Sequence, residues 1–175
     1  MELETDLKYI EQLGEERSEE NWKFRTFLKN LEIGTEELDA LVHHIATEVT
    51  SKIDCTKCAN CCKQIRPILD EDDTSQFALG LQMSGSELEG RYLRLCDHSP
   101  AKYEFKELPC PFLKNNRCSN YECRPKDCRS YPHLHKKRFV SRLWGVVENY
   151  SICPIVFNVY ERLKTEVWHG DGLGF

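Results

Sequence analysis

No apolar run in this 175-residue sequence approaches the length that a bilayer-spanning helix needs. The start, Met1-Glu2-Leu3-Glu4-Thr5-Asp6, carries acid where a secretory signal has a basic segment followed by an apolar one. The chain is therefore expected to stay in the cytoplasm and to have no membrane partner. A surplus of positive charge is missing as well: 24 Lys and Arg stand against 29 Asp and Glu, a formal net charge of −5. A surface that works by neutralising phosphates needs the opposite balance, so no nucleic-acid partner is expected. There is no glycine-rich dinucleotide loop, no Cys-x-x-x-Cys-x-x-Cys run of the kind that marks radical S-adenosylmethionine enzymes, no internal repeat and no low-complexity tract. The length suits one domain with a real core.

What the chain has in abundance is cysteine, ten in all. Four fall within eight residues, Cys55-Thr56-Lys57-Cys58-Ala59-Asn60-Cys61-Cys62, and a second group follows at Cys110, Cys118, Cys123 and Cys128, with Cys153 directly before Pro154. A Cys-x-x-Cys turn lets two sulfurs point into one space while backbone N–H groups aim at them, which suits a thiolate-bound metal. An even cysteine count also invites disulfides, but structural disulfides belong mainly to oxidising compartments and to smaller domains. In a cytosolic chain of this length the same pattern favours metal.

Order and spacing resemble the YkgJ-like, or CxxCxxCC, cysteine-cluster family, whose members are described as zinc- or iron-chelating. The resemblance spans roughly residues 38 to 164. It rests on Cys55-x-x-Cys58-x-x-Cys61-Cys62, Cys110-Pro111-Phe112-Leu113, Arg117-Cys118-Ser119-Asn120-Tyr121-Glu122, Arg124-Pro125-x-x-Cys128-Arg129-x-Tyr131-Pro132 and Cys153-Pro154. It implies metal ligation by Cys55, Cys58, Cys61, Cys62, Cys110, Cys118, Cys128 and Cys153. Cys96 and Cys123 fall outside the pattern and inherit no ligand role; Cys96 reads as an ordinary buried cysteine.

Eight thiols exceed one tetrahedral site, so two zinc ions, or two sharing a bridging thiolate, account for the set. The alternative is iron, as a [4Fe-4S] cluster: Cys55-x-x-Cys58-x-x-Cys61 matches the three-cysteine run of bacterial ferredoxins, and Cys153-Pro154 resembles their remote Cys-Pro. Because successive side chains point apart, Cys61 and Cys62 are expected to serve different centres, Cys61 with Cys55 or Cys58 and Cys62 with thiols of the Cys110 to Cys128 segment. Lys57, Lys63, Arg124, Lys126 and Arg129 lie close enough in sequence to offset thiolate charge. His133 and His135 are further candidate nitrogen ligands or proton carriers. The expected function is a metal-binding cysteine-cluster protein with metal ions, and conceivably a protein, as partners. The alternatives are an iron–sulfur or iron-dependent enzyme of protein modification, by analogy with the flagellin lysine methylase whose cysteine cluster is similar, and a thiol redox sensor built on Cys96 or Cys123.

Apolar periodicity predicts an α+β fold, a small metal-stabilised domain with helices around a short hairpin or sheet and a cysteine-rich metal core. Residues 1–34 read as an N-terminal helical extension, 35–169 as the metal-binding domain and 170–175 as a disordered tail. Within these, Thr35 is expected to cap a helix reaching about Ser51, and the acidic run from Asp70 to start another. Ser84 or Ser86 is expected to cap a helix running through Leu95. A hairpin should turn at Asn115-Asn116, residues 139–150 should be extended, and a last helix should begin at Pro154.

Overall fold

Contacts along the chain sort into two units, one formed by the residues up to Asp54 together with those from Pro132 onward, the other by Cys55–Tyr131. The computed structural model describes residues 2–169; the tail expected over 170–175 lies outside them. Helices and small antiparallel sheets make an α+β protein. The first 34 residues, set apart in sequence by their lack of cysteine motifs, fold with the residues that follow Pro132.

The first unit is helical. α1 (Leu7–Glu16) is capped by Asp6, whose carboxylate accepts from the N–H groups of Lys8 and Tyr9, and α2 (Ser18–Asn30) follows almost without a break through the polar stretch. α3 (Thr35–Thr50) buries Leu38, Val42, Ile45, Ala46 and Val49 at three- and four-residue steps. Thr35 is the first helical residue here, not the cap: Gly34 holds the cap position and offers no side chain. A 3-10 turn (Phe139–Arg142) and α9 (Leu143–Asn149) occupy the segment expected to be extended. Its apolar residues Phe139, Leu143 and Val146 recur at three- and four-residue steps, and burial on one side selects the helix. α10 (Pro154–Val167) starts with proline at its first position and buries Ile155, Val156, Val159, Tyr160, Leu163 and Val167.

Lys164 of α10 is only 2 % exposed, and its ammonium lies 2.7 Å from carboxylate oxygens of both Glu20 and Glu161. The Tyr150 hydroxyl donates to the same Glu161 oxygen at 2.8 Å, and Arg17 pairs with the other oxygen. Two carboxylates and two cations leave no uncompensated buried charge, which is what makes so buried an ammonium tolerable. Burial, with Glu161 alongside, pushes the Tyr150 hydroxyl well above its ordinary range.

In the second unit, α4 (Cys55–Cys58) and α5 (Asn60–Gln64) are single turns that lead into β1 (Ile68–Leu69), an edge strand that directly follows Pro67. α6 (Glu71–Gly80) is capped by Asp70, which accepts from Asp73 N–H at 2.8 Å, and α7 (Gly85–Tyr92) by Ser84. That helix stops at Tyr92, short of its expected end, because Leu93–Leu95 forms β2 and pairs with β3 (Tyr103–Phe105) in a sheet ordered β1-β3-β2. Sheet pairing to a distant segment outweighs helical propensity, a choice invisible in the local pattern. β4 (Leu113–Lys114) and β5 (Arg117–Cys118) form the expected hairpin, with Asn115 and Asn116 at φ 50° and 59°, the left-handed pair that a two-residue turn requires. Leu69, Phe77, Ala78, Leu88, Leu93, Phe105 and Phe112 pack as the core, with Cys110 and Cys118 against its edge.

Gly14 is held by close approach. A Cβ there would lie 2.4 Å from the Ser151 Cβ and 3.1 Å from its Cα. Alanine gains about 1 kcal/mol of helix propensity, but overpacking against a fixed turn costs about 1–3 kcal/mol, so the clash wins. Gly14→Ala is expected to lower the melting temperature by several degrees; an unchanged or raised value would show that α1 yields freely.

Candidate metal centre

The cysteine run folds as two single turns because Ala59 between them takes a left-handed conformation, φ 51° and ψ 17°. The reversal is bracketed by Ala59 N–H to Cys55 O at 3.1 Å and Cys62 N–H to Ala59 O at 3.1 Å. The run is then tied to the second cysteine segment by its backbone, since Cys110 N–H donates to Cys62 O at 2.8 Å. That bond places the vicinal pair beside the hairpin. Cys118 enters from β5, and Ser119 N–H closes on Phe112 O at 2.8 Å. Cys128 stands on α8 (Lys126–Ser130), which Pro125 precedes.

Four thiols, Cys62, Cys110, Cys118 and Cys128, lie within range of one another's charge. Their environments differ. Cys62 is lowered to about 7, mainly by a hydrogen bond from the Cys61 thiol and further by the charges of Arg124 and Lys63. Burial pushes Cys110 up to about 11, and the charge of Cys62 adds to this, while the backbone N–H groups of Phe112 and Leu113 donate to its sulfur and pull the other way. Burial raises Cys118 against an N–H from Asn120. Cys128 is raised furthest, by burial first and then by Cys62, Cys110 and Asp127. The pattern is that of buried sulfurs provided with N–H donors yet unable to ionise together.

Donor chemistry fits zinc or iron: the sulfurs are soft, amide N–H groups address two of them, and cationic side chains stand nearby. Among the described residues, no three His, Cys, Asp or Glu side chains are drawn into a group able to hold an ion. Elsewhere, Cys55 is exposed, while Cys58 and Cys61 are half-buried beside Ala59. Cys153 is buried in the first unit, and His133 and His135 belong to that unit too. Cys96, 9 % exposed, is the buried cysteine that was expected.

Several residues that build the centre were not foreseen. Asp73, 5 % exposed, accepts from Lys126 N–H at 2.8 Å and so caps the turn that carries Cys128. Asp127 accepts from Ile68 N–H at 3.1 Å, joining that turn to the sheet. Buried Asn120 donates to Phe77 O at 2.8 Å, which anchors the loop after Cys118 to α6. The acidic run was legible as a helix start; that its last member caps a helix more than fifty positions later was not. Lys126, read from sequence as a counter-charge to the thiolates, instead reaches Asp70 at 2.9 Å and Asp72 at 3.5 Å. Arg124 takes the role: its guanidinium lies 3.4 Å from the Tyr121 ring centre, donates to Tyr121 O at 2.8 Å, and acts on both Cys62 and Cys118.

The Cys55–Tyr131 unit gathers a half-buried set of thiols beside small antiparallel sheets, a layout suited to thiolate metal binding. Residues 54–151, more than half of the chain, match the CxxCxxCC family, described as a "putative zinc- or iron-chelating domain", and the protein belongs to that family. The assignment supports binding of zinc or iron. Comparison with curated proteins and with solved structures finds no match for this chain. No helix among the described residues is long and apolar enough to cross a membrane.

Gly80 ends α6 against the ligand-bearing loop, where a Cβ would meet Asn120 Oδ1 at 2.3 Å and the Cys123 sulfur at 2.7 Å. Gly80→Ala is expected to destabilise the protein by about 1–2 kcal/mol and to weaken metal binding by shifting the loop after Cys118; a metal titration that matches the parent would show that the loop position is immaterial. A second expectation concerns pH. The Cys110 pKa is raised on folding, so the metal-free protein has its full stabilising effect below the ordinary thiol range and loses it as pH rises toward about 11. Melting temperatures of metal-free parent and Cys110→Ala should converge as pH climbs from about 8 to about 11. Parallel curves would mean that Cys110 is not buried as described.

Proposed function

We propose that the protein binds zinc or iron through its cysteines, with Cys62, Cys110, Cys118 and Cys128 as one four-thiolate centre. The observation that carries this reading is that these four, from three separate segments, sit within reach of one another's charge while amide N–H groups are directed at two of them. A bound cation would offset the burial, and the smaller mutual repulsion, that keep three of them protonated, and its binding energy would then hold the hairpin, α8 and the cysteine run together. Zinc is the ion that a closed set of four thiolates holds in structural sites. Iron in the same ligand set is the alternative. Cys55, Cys58 and Cys61 are the thiols left for a second ion in this unit, and Cys153 is a donor of the first unit. The reading favours a reducing compartment such as the cytoplasm, where cysteines stay reduced and able to bind metal.

Protein purified without oxygen and assayed for metals tests it. Cys62→Ala and Cys128→Ala are each expected to lose at least one ion per chain and to melt many degrees lower, while Cys96→Ala keeps full occupancy. Full occupancy in both of the first two variants would defeat the four-thiolate assignment. Colourless protein with zinc fits the structural reading, and visible absorption with iron fits the alternative. Proton release gives an independent check. Cys110, Cys118 and Cys128 are held above the ordinary thiol range, and Cys62 titrates near 7, so adding zinc to the metal-free protein at pH 7 should release about three protons per ion at this centre, with affinity rising with pH.

A further inference from the structure

Between Pro132 and Arg142 the chain has four Lys or Arg, two His and no Asp or Glu, although the whole sequence is acidic. The loop is not a loose tract. Lys136 N–H closes a turn on His133 O at 3.1 Å, His133 and Arg138 take left-handed conformations at φ 64° and 59°, and the Arg142 guanidinium gathers the carbonyls of His133, Lys136 and Lys137. On the opposite flank Asp39, 7 % exposed, accepts from the N–H groups of Arg138 at 2.6 Å and Phe139 at 2.8 Å. His43 of α3 lies 3.4 Å from Lys136 O. Arg142 and Asp39 thus grip the backbone from inside, and the side chains of Lys136, Lys137 and Arg138 are turned to solvent.

None of those three forms an ion pair among the described residues, and the carboxylate of Asp39 is taken up by the loop's own amides. A backbone already fixed in place has no further backbone entropy to lose on meeting an anion, so only side-chain ordering opposes binding and the arrangement favours it.

We propose that the loop His133–Arg138 is a docking surface for a short acidic segment of a partner protein. Charge selects an anion, and the acidity of the rest of the chain favours a short one. Over the roughly 8 Å reach of electrostatics at physiological salt the loop presents positive charge, whereas the protein as a whole, at −5, repels an extended polyanion or an anionic membrane. Nucleic acid also asks for free aromatic faces. The exposed aromatic on the segment that follows, Trp144, packs on Trp22 at 4.8 Å, and Arg25 lies over both rings at 5.3 and 5.7 Å. The ring is thus partly engaged, and its exposed remainder suits apolar contact at the margin of a protein interface. This surface is independent of the metal reading.

The probe is a short fluorescein-labelled peptide of Glu and Asp interspersed with Leu, titrated with the metal-loaded full chain and followed by anisotropy. Saturable binding that weakens with added salt, and that falls by about tenfold or more in the double variant Lys136→Glu/Lys137→Glu, is the result expected. Both lysines are exposed, so the double variant should keep the parent's melting temperature and metal content. Arg142→Lys keeps the charge but loses the grip on three carbonyls, and should weaken binding as well. No binding of the peptide, equal binding by parent and double variant, or tighter binding of an oligothymidylate of equal charge or of phosphatidylserine vesicles would each overturn the proposal.

Discussion

Partial burial of thiols, with their mutual charge second to it, is the constraint that sets the character of the second unit. Cys62, Cys110, Cys118 and Cys128 come from segments that share no local structure, yet they are brought to where each feels the others' charge. Burial alone favours the neutral thiol, and the amide donors at Cys110 and Cys118 favour the thiolate. A site with both features is balanced against itself until a cation arrives. The apolar core beside these thiols is modest: seven buried side chains, Phe77, Phe105 and Phe112 among them.

Much of the surrounding structure consists of single polar residues that hold ligand-bearing turns from a distance. Asp73 caps the turn of Cys128, Asp127 ties that turn to β1, Asn120 fixes the loop after Cys118 to α6, and Gly80 leaves room for the contact. Each replaces a stretch of regular structure that this short segment has no residues to build. Unmade, each would leave a buried polar group without a partner, which costs more than the bond itself contributes. The first unit solves a comparable problem around Lys164, where Glu20, Glu161, Tyr150 and Arg17 enclose one buried ammonium. In both units a polar cluster, fully partnered, fixes which helices meet.

Periodicity and motif spacing determined a good deal by themselves. The apolar stripes of α3 and α10, the proline that opens α10, the Asn115-Asn116 turn, the capping role of Asp70 and the membership of the cysteine-cluster family all follow from residues close together in the chain, because caps, turns and stripes are local physics. Tertiary structure decided the rest. Residues 143–149 became helix, not strand, since burial of Leu143 and Val146 on one face outweighs the β-propensity of Val and Trp. Leu93–Leu95 left its helix to pair with Tyr103–Phe105. Lys126 turned to the carboxylates of Asp70 and Asp72, leaving Arg124 to face the thiols. The grip of Arg142 and Asp39 on the basic loop depends on carbonyls and amides that no composition reveals. In each case several partners compete, some near in sequence and some far, and only the folded chain decides which of them come within bonding distance.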